Sequence, residues 1–80
     1  MHEWHITEEL LETICLQAEE NKMGMVTRID LSLGESCNIT EDSLRFCLQT
    51  LSQKTIAKDA LVNINSVKGA ELVLMSIEGE

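Results

Sequence analysis

Apolar residues recur along this chain in two rhythms, and the change from one to the other lays out the fold. From Thr7 to about Lys22, the residues Leu11, Ile14, Cys15 and Ala18 follow the i, i+3, i+4, i+7 spacing of a single helix face. Leu10 widens that stripe, and Glu8, Glu9, Glu12, Glu19 and Glu20 fall mostly outside it. The spacing predicts an amphipathic helix with Thr7 as N-cap and an Ile6 to Leu11 hydrophobic staple. Glu8 and Glu9 then sit in the first turn, where they complement the helix dipole. Asn21, Lys22 and Gly24 supply its stop. From Met25 to Leu33 the rhythm becomes alternation, with Met25, Thr27, Ile29, Leu31 and Leu33 on one side and Val26, Arg28, Asp30 and Ser32 on the other. That is a strand with one buried face, ended by Gly34 and followed by the loop-like run Glu35, Ser36, Cys37, Asn38.

The helical period returns from about Thr40 to Ser52, carried by Leu44, Cys47, Leu48 and Leu51, with Asn38 or Thr40 as the cap and Glu41 and Asp42 in the first turn. Two short runs rich in Val, Leu and Ile, Ala60 to Ile64 and Glu71 to Ile77, read as strands. Asn65 to Gly69 is short enough to join them as a hairpin. A single-faced sheet needs a cover, and two amphipathic helices supply it. The expected fold is an α/β two-layer sandwich, two helices packed on one face of a three-stranded mixed sheet, in the order helix-strand-helix-strand-strand. The strands flanking the second helix should be parallel and the hairpin return antiparallel.

A length of 80 residues allows one domain, and with Trp4 and Phe46 the only aromatic residues the core must be aliphatic. The net charge of −8 repels a phosphate backbone, so nucleic acid is not an expected partner. The same sign disfavours an anionic membrane surface, no run of residues suffices for a membrane span, and the start lacks the basic and apolar regions of a secretory signal. The expected compartment is the cytoplasm. Metal cations and basic protein surfaces are what such a charge attracts.

Cys15, Cys37 and Cys47 are widely spaced and form no Cys-x-x-Cys pair, so neither a disulfide framework nor a structural zinc site is expected. Cys15 and Cys47 lie on apolar helix faces and read as small core residues. Cys37, in a loop with Glu35 and Glu41 nearby, is a weak candidate for a ligand or nucleophile. Phosphate-binding glycine loops, a nucleophile elbow and a His-Glu-x-x-His helix are all missing from the sequence. The acidic residues Glu8, Glu12, Glu19, Glu41 and Asp42 read as solvated helix faces rather than paired catalytic carboxylates.

The chemistry concentrates at the start, Met1-His2-Glu3-Trp4-His5. A His in second place lets the terminal amine of Met1, the His2 amide nitrogen and the His2 Nδ1 close adjacent five- and six-membered chelate rings. Nickel(II) and copper(II) prefer such a tetragonal, nitrogen-rich frame, whereas zinc prefers a tetrahedron of side chains. The Glu3 amide nitrogen could join the plane, and the Glu3 carboxylate lowers the local potential for a cation.

That start stands together with Gly34-Glu35 after the first strand, Leu44-Arg45-Phe46-Cys47 and then Thr55-Ile56-Ala57-Lys58-Asp59-Ala60, and Glu71-Leu72 opening the last strand. In this order and spacing the chain resembles, nearly end to end, the HypA family of nickel metallochaperones for nickel-iron hydrogenase maturation. The resemblance implies a Ni(II)-binding, non-enzymatic domain over residues 1–80, with His2 as side-chain ligand and Met1 and Glu3 contributing backbone nitrogen and nearby charge. It implies delivery to an accessory maturation GTPase or a hydrogenase large-subunit precursor. Trp4 is expected to anchor the terminal segment against the domain. The family carries a zinc domain before its last strand. Here residues 65–70 take its place, so no structural zinc is expected, and His5 stands as a further candidate ligand. The last strand, with Val73, Leu74, Met75 and Ile77, is apolar on both faces. An alternative reading follows from it: a protein-interaction or self-assembling module with little metal affinity, dimerising through the Glu71 to Ile77 edge.

Overall fold

The computed structural model describes residues 2–80. Its elements run α1 (His2–Glu20), β1 (Val26–Gly34), α2 (Glu41–Leu51), a 3-10 turn (Ser52–Lys54), β2 (Leu61–Val67) and β3 (Leu72–Gly79). The sheet has the order β2-β1-β3, with β1 parallel to β2 and antiparallel to β3. One aliphatic core joins both layers. Ile14 and Ala18 of α1 and Leu44 and Leu48 of α2 pack with Val26, Ile29 and Leu31 of β1, all almost fully buried. The mixed sheet under two helices is as the pattern of apolar residues predicts.

Three details differ from the sequence-based expectation. First, α1 begins at His2 rather than after Thr7. Thr7 caps nothing; it lies inside the helix, fully buried, and its Oγ1 donates to the Glu3 carbonyl at 2.6 Å. Thr7 is one turn before Leu11 and therefore continues the core stripe upstream, its hydroxyl satisfied by the carbonyl four residues back. The helix ends in a Schellman motif. Lys22 takes a left-handed φ of 58°, Met23 N donates to the Ala18 carbonyl at 2.8 Å and Lys22 N to the Glu19 carbonyl at 3.0 Å.

Second, β2 and β3 are not a hairpin, because β1 lies between them. The connection crosses the end of β1 and is fastened there. Glu35 N donates to the Val67 carbonyl, Ser36 N to that of Gly69 and Gly34 N to that of Glu71, all at 2.8 to 2.9 Å. The physical reason is burial. Ile29, Leu31 and Leu33 of β1 are nearly inaccessible, and a strand so covered belongs in the middle of the sheet. Gly34 permits the crossing: a Cβ there would strike the Gly69 carbonyl oxygen and come within 2.9 Å of Ala70 N.

Third, the alternation along β1 changes phase near Thr27, where its pairing with β3 shifts register between Val26 and Arg28. Val26 thereby turns inward beside Ile29, and Met25 and Thr27 are exposed. The helix-free face carries a polar clasp across all three strands. Asp30 accepts from Arg28 Nη2 at 3.0 Å, Asn63 Nδ2 at 3.0 Å and Ser76 Oγ at 3.1 Å. These donors hold the Asp30 carboxyl down at about 2, the Arg28 bond contributing most.

Candidate metal centre

Two of the residues singled out at the start of the chain, Met1 and the His2 side chain, lie outside the described residues, so the centre is built from what surrounds them. The backbone of His2 opens α1, which places the amides of His2, Glu3 and Trp4 in the first turn. N–H groups there have no acceptor within the helix. Glu3 and Trp4 are half-buried. The Thr7 hydroxyl bond to the Glu3 carbonyl ties this turn to the core, since Thr7 itself is fully buried.

The start of α1 borders a cavity of about 390 Å³ lined by Glu3, Ile6, Ser36, Cys37, Asn38, Ile39 and Ala70. Three chain segments meet there: the first turn of α1, the loop after β1, and the connection from β2 to β3. Cys37, a weak candidate from sequence, thus shares a cavity with Glu3. No local signal could have foreseen this, because the crossing connection brings the segments together. His5 points elsewhere. It is exposed, and its Nε2 lies 3.2 Å from Glu9 Oε1, one turn further along the helix.

The other cysteines are dispersed, Cys15 half-buried on α1 and Cys47 buried on α2. Burial pushes the Cys15 thiol above its ordinary pKa, against a smaller opposite effect of a Thr55 hydrogen bond. Among the described residues, no three His, Cys, Asp or Glu side chains converge to hold an ion. Among the same residues, no helix is long and apolar enough to cross a membrane.

Residues 1–77 match the family model described as HypA, hydrogenase/urease nickel incorporation, metallochaperone. A hydrogenase maturation factor HypA of Dehalococcoides mccartyi is 48% identical over 67 residues, 84% of this chain and 56% of that protein. The corresponding protein of Rhodopseudomonas palustris is 34% identical over 70 residues, 88% of this chain and 62% of that protein. The chain thus spans 56 to 62% of the length of these curated relatives. Among solved structures, the solution structure of the Ni metallochaperone HypA from Helicobacter pylori superposes with a TM-score of 0.86 at 15% identity, covering 96% of each chain. A second, described as the solution structure of HypA protein, gives 0.81 at 18% identity and covers 100% of this chain and 97% of the other. At such identities the two structures speak for the fold.

Proposed function

The chain belongs to the HypA family of metallochaperones for hydrogenase and urease nickel incorporation, and from that membership we propose that it binds Ni(II) at Met1-His2-Glu3 and hands it on for nickel-iron hydrogenase maturation. The observation that carries this reading is the position of the His2 and Glu3 backbone in the first turn of α1, where backbone nitrogens are free of helical partners. In a chain with a free amine at Met1, that amine, the deprotonated His2 amide and the His2 Nδ1 would close two fused chelate rings on nickel, with the Glu3 carboxylate beside them and the fourth corner left to a further donor such as His5. Loss of the His2 amide proton breaks no helical hydrogen bond. Flattening the plane opens the helix only as far as Glu3, whose carbonyl stays tied to Thr7.

Electrostatics tune the grip. The positive end of the helix dipole opposes a cation, and the carboxylates of Glu3, Glu8 and Glu9 offset it. Binding releases the amide proton, so nickel is held more firmly as pH rises and is let go as it falls. His5 is a reserve donor one turn from His2, available once it leaves Glu9. Trp4, half-buried, anchors the turn.

Residues 65–70 replace the family's zinc domain, leaving 1–80 as a single nickel domain without structural zinc. The role is carriage rather than catalysis. An accessory maturation GTPase and a hydrogenase large-subunit precursor receive the metal in the cytoplasm. His2→Ala tests the assignment: nickel binding at neutral pH is lost while the circular dichroism spectrum stays unchanged, and an unaltered dissociation constant removes His2 from the site.

A further inference from the structure

The two edges of the sheet differ. On β2, Arg45 of α2 reaches over and donates to the Val62 carbonyl at 2.7 Å, so a helix side chain attends that edge. On β3, no strand pairs with its outer side among the described residues. Gly34 N donates to the Glu71 carbonyl, and alternation of an antiparallel ladder then turns the backbone groups of Leu72 and Leu74 outward. From Leu72 to Ile77 the strand has no charged residue and no proline to guard it. Beside this edge runs an open groove of about 270 Å³ between α1 and β3, lined by Ile6, Leu10, Leu72 and Leu74 with Glu9 and Thr13 at its rim.

Charge selects the occupant. The two elements that border the groove, α1 and β3, carry seven glutamates and no lysine or arginine. All six lysines and arginines, Lys22, Arg28, Arg45, Lys54, Lys58 and Lys68, lie outside these two elements, and Arg28 of β1 comes within 3.9 Å of Glu78, the one glutamate of β3. A second copy would bring the same acidic surface against its own kind. The geometry points to a docking edge at Leu72 to Met75 for an extended, basic segment of a partner protein. That segment adds as a fourth strand, its alternate apolar residues entering the groove and its lysines or arginines drawn to this acidic side of the molecule by long-range attraction. Met75, 61% exposed at the register shift opposite Asp30 and Leu31, gives the incoming strand an apolar contact at the end of the paired stretch. This surface does not depend on whether His2 holds nickel.

The test uses the whole chain, isotopically labelled, with an acetylated Lys-Val-Lys-Val-Lys-Val peptide amide and its Glu-Val counterpart as probes. The lysine peptide should slow amide exchange at Leu72 and Leu74, lose about tenfold in affinity between low and high salt, and bind at least about tenfold more weakly to Met75→Lys. Val73→Lys, on an exposed side chain of the helix-free face, repeats that loss if the first variant folds poorly. Equal binding of the two peptides, or no protection on β3, overturns the proposal. Concentration-dependent protection of β3 without peptide also overturns it, since the occupant is then a second copy.

Discussion

The buried hydroxyl of Thr7 donates to the carbonyl of Glu3 at 2.6 Å, and this bond adds a side-chain tie between the interior of the domain and the turn that opens with His2. Thr7→Val keeps the shape and removes the donor. Because the side chain is fully buried, the global cost should be about 1 kcal/mol. The local effect should be larger. Amide exchange from Glu3 to Thr7 should accelerate relative to that from Leu11 to Ala18, and nickel affinity should fall several-fold as the preorganised turn is lost. Equal exchange rates in both halves of α1 would show that the bond holds nothing in place.

Gly34 supports the crossing that makes β1 the central strand. An added Cβ would meet the carbonyl carbon of Gly69 at 2.6 Å and Ala70 N at 2.9 Å, both backbone atoms that cannot swing aside. Gly34→Ala should therefore destabilise the fold by about 1 to 3 kcal/mol, in the range of overpacked core sites. Urea denaturation should show a lower midpoint, and an unchanged midpoint would mean that the connection moves at no cost.

The Asp30 clasp has a defined acid signature. Its carboxyl is lowered from the ordinary 3.8 to about 2. A depressed pKa means that the stabilisation is present above about pH 4 and is lost as pH falls toward 2. Asp30→Asn should be less stable than the parent at neutral pH, and the difference should shrink through that window. Parallel pH titrations of the melting temperature would check it. A gap that persists unchanged at pH 2 would place the contribution in some other feature of the side chain.

What could be read from the residues alone depended on how local each signal was. The stripe from Leu11 to Ala18, the Leu44 to Leu51 helix and the buried side of Ile29, Leu31 and Leu33 are periodic, and they form as the periods predict. Thr7 misled because a threonine before an apolar run reads as a cap, whereas a carbonyl four residues back satisfies it equally well inside the helix. The connection after β2 is short enough for a hairpin or a crossing, and only the burial of β1 decides between them. The Met-His-Glu start stands out in the sequence because its candidate donors are consecutive. The cavity joining Glu3, Cys37 and Ala70 is not, being assembled from three distant segments.

The most direct test of the nickel assignment is a titration of Ni(II) into untagged protein with a free Met1 amine, followed by visible absorption. The same protein acetylated at that amine serves as the comparison. One equivalent should bind at neutral pH with the yellow band of square-planar nickel and proton release, and neither signal should arise in the acetylated chain. The same band and stoichiometry after acetylation, or only the pale green of octahedral nickel with the free amine, would rule that site out.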